Sequence, residues 1–163
     1  LPPSEPPTVQ IDLPGDAWLP REYISDFRSK IDLYRRIARA TLDSQLDEIS
    51  TELTDRFGPP PETAQRLIER GRLRIAASLW SIHSIGCQDG LIMIRYRDPL
   101  PLERLRRERG SRLRIIDGRS ACLPLDSRVQ ETPNRIWDVV KTLLRPRENL
   151  PYSPPPSVPA RRS

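Results

Sequence analysis

The chain reads as an α+β domain, with a helical first half packed on a small antiparallel sheet of two hairpins and a closing C-terminal helix. Three observations point there. Apolar residues recur at helical spacing from Ile24 to Leu79. The period then drops to two on either side of Asp89-Gly90 and Asp117-Gly118, dipeptides suited to tight hairpin turns. A last helical stripe follows Thr132-Pro133. Helices and strands that segregate along a chain, instead of alternating, argue for α+β.

The elements follow in order. Thr8 to Leu13 alternates apolar and polar residues (Val9, Ile11, Leu13) and is expected to form a short strand. Ile24, Phe27, Ile31, Tyr34 and Ile37 lie on one face of an amphipathic helix. Ser44 with Asp47 has the look of a capping box, and Leu46, Ile49 and Leu53 form the next stripe. Gly58 suits the end of that helix, because it takes positive φ without a Cβ penalty. Pro59 to Pro61 then forbid continuation, and Pro61 is placed to open the next helix, where its missing N–H costs nothing. That third helix runs from about Glu62 to Trp80, with Ala64, Leu67, Ile68, Gly71, Ile75 and Leu79 on one face. Gly71 there weakens the helix relative to Ala, so it is expected to allow a neighbouring element to come close. Ile82 to Cys87 and Leu91 to Tyr96 make the first hairpin, Pro99 to Arg109 a short Arg-rich helix, and Arg112 to Ile116 with Ser120 to Leu125 the second hairpin. The final helix carries Ile136, Val139, Val140 and Leu143 on its apolar face.

Proline sets the boundaries. Of 19 prolines, six lie in residues 1–20 and six in residues 146–163. Residues 1–7 therefore read as a linker, 8–145 as the folded unit, and 146–163 as a disordered, partly polyproline-like tail. Pro151 to Pro156 fits a PxxP ligand, although such strings are common. A start that is Pro-rich and lacks Met fits a fragment of a longer protein. There is no apolar run long enough for a bilayer and no start resembling a signal peptide, so a cytoplasmic location without a membrane partner is expected. In that setting Cys87 and Cys122 read as reduced, small, buried apolar residues.

The residue inventory excludes much chemistry. His83 is the only histidine and falls in a predicted strand, which removes most His-based triads and His-ligated metal sites. No G-x-x-x-x-G-K-[ST] run cradles a triphosphate, and no G-x-G-x-x-G follows a strand. The carboxylates of Asp43, Asp47, Glu48, Glu52 and Asp55 lie along a helix surface, whereas paired catalytic acids need a cleft with unequal environments. The chain by itself is expected not to be an enzyme, with no catalytic residue, cofactor or metal of its own.

Two surfaces could carry function instead. Glu52 and Asp55, three residues apart, share a helix face and can grip arginines of a partner; the bland alternative is a solvated face with local pairing. Arg104, Arg106, Arg107, Arg109, Arg112 and Arg114 place six arginines in eleven residues, partly offset by Glu103 and Glu108. The formal net charge of +5 permits phosphate contact there, and the alternative is a charged surface helix. Aromatic residues do not interleave with these arginines, which argues against stacking on single strands.

The run Glu-Leu-Thr-Asp-Arg-Phe-Gly-Pro-Pro-Pro from Glu52 to Pro61 is preceded by Lys-Ile-Asp-Leu-Tyr-Arg-Arg-Ile-Ala from Lys30 to Ala38. Together they resemble the C-terminal domain of the bacterial transcription-repair coupling factor (TRCF) family. Ile11-Asp12-Leu13-Pro14, Leu19-Pro20 and Tyr23-Ile24 are similar to that domain's entry. The resemblance covers about residues 8–145 and is more specific before Gly86 than after it. It implies a non-catalytic regulatory module of an ATP-dependent DNA translocase, a superfamily 2 helicase that uses ATP and Mg in its motor. It also implies partners of the whole protein: RNA polymerase, UvrA and duplex DNA. The domain itself would mask the N-terminal UvrA-binding module of the same protein. Glu52 and Asp55 match the acidic positions of the family's Glu-Leu-x-Asp-Arg-Phe-Gly motif and become the candidate interdomain contacts, with Arg56 and Phe57 anchoring the helix end. The alternative is an accessory nucleic-acid-binding domain that contacts phosphates through Arg104, Arg106, Arg107 and Arg109.

Overall fold

The computed structural model describes residues 9–109 and 112–145. The linker and tail expected at 1–7 and 146–163 lie outside the described residues. Among the described residues the order is β1 (Gln10–Asp12), α1 (Phe27–Arg39), α2 (Asp43–Phe57), α3 (Glu62–Leu79), β2 (Ile82–Gln88), β3 (Leu91–Tyr96), α4 (Pro99–Arg109), β4 (Arg114–Ile115), β5 (Ser120–Pro124), α5 (Ser127–Gln130) and α6 (Pro133–Leu144). The α+β class, the three early helices, both hairpins and the closing helix are therefore as the sequence predicts.

The sheet has the order β1-β2-β3-β5-β4. Its two hairpins join through β3 and β5, antiparallel, with Met93 opposite Cys122. Asp89 and Gly90 both take positive φ, 52° and 74°, the two-residue turn whose twist matches its strands. The sheet is not purely antiparallel, however. β1 adds to its edge parallel to β2, with Ile11 opposite Ile85. Parallel neighbours need a long crossover, and α1 to α3 supply it. Nothing in the local pattern of Val9, Ile11 and Leu13 reveals which strand they will meet.

Two apolar clusters fill the interior, and α3 belongs to both. Its first half contributes Ala64, Leu67 and Ile68 to a helical cluster with Leu33 and Ile37 of α1, Leu46, Ile49 and Leu53 of α2, and Leu19 and Ile24. Its second half contributes Leu73 and Ala77 to the sheet cluster, with Ile85, Ile92, Ile94 and Tyr96, and with α4 and α6. The single face predicted for α3 is therefore corrected after Gly71. Ile75 is half-buried and Leu79 is exposed, because the second half turns a different side to the sheet. Gly71 does bring α2 close, since a Cβ there would stand 3.2 Å from both Leu46 Cδ atoms.

The predicted face of α1 is also corrected. Phe27 is 72% exposed and Tyr34 lies at the surface, while Leu33 and Ile37 are buried and Ile24 is buried in the turn before the helix. Tyr34 instead uses its hydroxyl, which accepts from the Leu19 amide at 2.8 Å. Asp26 caps α1 by accepting from the Ser29 amide at 3.0 Å. The Ser44–Asp47 capping box does not form. α2 begins at Asp43, so Ser44 is already inside the first turn. Gln45 reaches back and accepts from the Thr41 and Leu42 amides at 2.8 and 3.2 Å.

Pro61 stands one residue before α3, and its carbonyl accepts from Gln65 at 3.0 Å. Pro133 opens α6, but the Thr132 side chain makes no cap bond. Trp137 and Leu144 join the predicted buried stripe of α6. The Trp137 Nε1–H donates to the Pro14 carbonyl at 2.8 Å, tying the last helix to the start of the domain. Arg66 adds a second clasp there, donating to the Asp16 carbonyl at 2.8 Å and to Asn134 Oδ1 at 2.9 Å.

Candidate functional site

The acidic surface is built by α2 and the corner after it. Leu46, Ile49 and Leu53 turn inward. Helical spacing then forces Glu48, Glu52 and Asp55 together on the outward side. They line a shallow depression of about 540 Å³ with Asp47, Thr51 and Arg56. The helix end that bears them is fixed from several directions. Gly58 takes φ +86° and its amide donates to the Thr54 carbonyl at 3.0 Å. The Tyr23 hydroxyl donates to the Gly58 carbonyl at 2.8 Å, with the Leu53 carbonyl 3.2 Å away. Phe57 packs edge-on to Tyr23 at 5.9 Å, and the Arg56 guanidinium sits over the Phe57 ring at 4.8 Å. Arg56 and Phe57 thus hold the helix end, as expected of them.

The two acids singled out from sequence have different environments. Glu52 is clamped within the domain: Arg36 of α1 approaches it at 2.5 Å and Arg56 at 3.0 Å. Its partial burial pushes the carboxyl up, but hydrogen bonds from the two arginines together outweigh that and hold it below the ordinary glutamate value. Asp55 is exposed and makes no ion pair among the described residues. Glu48, one helical turn before Glu52, is also exposed and unpaired among them. Asp47 is engaged elsewhere, with Arg72 at 2.6 Å. The surface therefore offers Asp55 and Glu48 outward, on either side of an internally neutralised Glu52. In the sequence Glu48 is one of several carboxylates along the α2 surface. The signal that could have raised it was its spacing of seven from Asp55, which puts both on one face.

The arginine row does not act as one patch. Arg112 pairs with Asp126 at 2.8 Å, and Arg114 lies on the short edge strand β4. Arg104, Arg106 and Arg107 are exposed on α4, Arg109 is half-buried at its end, and none forms an ion pair among the described residues. Leu102 and Leu105 anchor α4 to the sheet cluster. The two cysteines are free: Cys122 is buried, and half-burial pushes the Cys87 thiol up. His83 stands half-buried where the β2–β3 register shifts. No helix among the described residues is long and apolar enough to cross a membrane.

An α+β domain whose helical half presents an acid-bearing corner between α2 and α3 is the class that fold and surface define. The family model of the TRCF domain matches residues 13–104, more than half of the chain, and the chain belongs to that family. The transcription-repair-coupling factor of Mycobacterium tuberculosis (strain CDC 1551 / Oshkosh) is 48% identical over 72 residues, which is 44% of this chain and 6% of that protein. That of Staphylococcus aureus (strain USA300) is 37% identical over 76 residues, 47% of this chain and 6% of that protein. The chain thus matches only a small part of these relatives' length. The crystal structure of the C-terminal domain of a transcription-repair coupling factor superposes with a TM-score of 0.71 at 22% identity, covering 84% of this chain and 88% of that one. At that identity the likeness establishes the fold. The matched segment contains Glu48, Glu52 and Asp55 and stops at Arg104.

Proposed function

We propose that this TRCF domain is a regulatory docking module without chemistry of its own. In this reading it covers the UvrA-binding module near the N-terminus of the same protein, an ATP-dependent DNA translocase of transcription-coupled repair. The partners of the whole protein would be RNA polymerase, UvrA and duplex DNA, with ATP and Mg confined to its motor. The observation that carries the reading is the exposed Asp55 carboxylate, unpaired among the described residues, beside a Glu52 held by two arginines. A preorganised acidic corner accepts a guanidinium from a partner with little loss of side-chain freedom. A docking free energy of a few kcal/mol hides the covered face most of the time, and release then depends on what favours the undocked state.

The test is a titration of the isolated N-terminal module against this domain. Asp55→Lys is expected to weaken binding about tenfold, roughly 1.4 kcal/mol, with an unchanged melting temperature. Unchanged affinity in the Glu48→Lys/Asp55→Lys double variant removes this face from the interface. Reversing Glu52 is a poorer test, because a lysine there would face Arg36 and Arg56 and disturb the fold itself.

A second reading places phosphates on Arg104, Arg106, Arg107 and Arg109. It is favoured by their lack of carboxylate partners among the described residues. It predicts duplex DNA binding whose affinity falls steeply with salt, measurable by fluorescence anisotropy. Absence of binding at low salt removes it.

A further inference from the structure

One groove belongs to neither the acidic corner nor a simple charged face. It encloses about 440 Å³ between the end of α3, the first turns of α4 and the end of α6. Leu79, Trp80, Leu100, Pro101 and Leu144 form its apolar surface, and Arg104 and Arg107 stand along one side. Leu79 and Leu100 are 68% and 74% exposed, among the most exposed large apolar side chains of the described residues. The walls are fixed. The Trp80 Nε1–H donates to the Leu144 carbonyl at 3.2 Å, joining α3 to α6. The Arg97 and Asp98 amides donate to the Ser81 carbonyl and hydroxyl at 3.0 and 2.9 Å, joining the start of α4 to the end of α3. Asp98, the one acid lining the groove among the described residues, is occupied in capping α4, where it accepts from the Leu100 amide at 3.1 Å. Arg104 and Arg107 share a face of α4 and find no carboxylate among the described residues; Glu103, although four residues from Arg107, does not pair with it.

We propose that this groove docks an acidic, apolar peptide segment of another protein. Its bulky side chains would cover Leu79 and Leu100, and its carboxylates would meet Arg104 and Arg107. Charge complementarity commits the groove to such a partner, because two guanidinium groups, unpaired among the described residues, border an apolar floor. The same floor separates this partner from nucleic acid: a phosphate backbone would leave both leucines uncovered, and the aromatic residue lining the groove, Trp80, is half-buried and tied to Leu144, a poor platform for bases. The proposal is independent of the acidic corner on α2.

The probe is a randomised 12-residue peptide library displayed on phage and selected against the full chain. Enriched peptides are expected to combine two bulky apolar residues with Asp or Glu. They should lose about tenfold or more in affinity against Leu100→Glu and against Arg104→Glu/Arg107→Glu. They should bind Glu48→Lys/Asp55→Lys unchanged, which separates this surface from the docking corner. All these side chains are exposed, so the variants keep the wild-type melting temperature. Enrichment of neutral or basic peptides, or binding indifferent to the groove variants, overturns the proposal. Three further outcomes overturn it by giving the groove to another occupant. These are duplex DNA binding lost only in the arginine variant, a dimer in sedimentation that Leu100→Glu dissociates, and competition by a peptide of residues 146–163 without any acidic enrichment.

Discussion

Glu52, a candidate contact by sequence, already has two partners within the domain, Arg36 and Arg56. Its two arginine partners hold the carboxylate charged below the pH at which an ordinary glutamate protonates. A carboxyl whose folded-state value is depressed contributes stability that is complete above its unfolded value, about 4.3. That contribution fades as pH falls through the lower folded value. Glu52→Gln is therefore expected to cost about 0.5–1 kcal/mol at neutral pH, the range of a partly exposed pair. The difference from wild type should shrink in thermal melts below about pH 4. A gap that persists at acid pH would assign the loss to packing and not to charge. Asp55, three residues on, has no such partner among the described residues, and its substitution should register in docking alone. Residue identity made both acids visible in the sequence. Which of them was already occupied depended on Arg36, sixteen positions away and brought there by the α1–α2 packing.

The α2–α3 corner is the element that the chain specifies most completely. Gly58 combines φ +86° with ψ −176°, a region that only glycine occupies readily. A Cβ placed there meets nothing within 4 Å, so the cost of Gly58→Ala is one of backbone strain alone. That cost is expected to be about 1–3 kcal/mol, readable as a lowered midpoint in urea with an unchanged slope. Because Tyr23 binds the Gly58 carbonyl, the strain should also loosen the helix end that presents Asp55. The corner was legible because Gly, three prolines and the apolar stripe of α2 all point to the same geometry. α3 was legible only as far as Gly71. A helix shared by two cores buries two faces, and a search for one stripe finds the first. α5 is too short, at four residues, to have a period at all.

At the scale of the molecule, α3 is the spine on which a helical core and a sheet core are hung. The Pro14–Asp16 segment and α6 are pinned to it and to each other through Trp137 and Arg66. Trp137 is 5% exposed, and Trp137→Ala is expected to cost about 3–5 kcal/mol. Because both cores share α3, they should unfold together. Fluorescence of Trp18 and Trp80 and far-ultraviolet circular dichroism should therefore give one coincident transition. Separate transitions would mean that the two clusters are independent units. The sheet's edge strand β1 follows the same logic: its partner is more than seventy residues away, and only the crossover through three helices brings them together.

The order of helices and hairpins, their turns and the acidic corner were all present in local pattern, because periodicity, Gly, Pro and Asp-Gly pairs act over a few residues. The parallel edge strand, the second face of α3, the occupied state of Glu52 and the groove between α3, α4 and α6 came only with the tertiary structure. Each depends on contacts between distant segments, whose free energy is set by packing and charge in three dimensions and leaves no periodic mark along the chain.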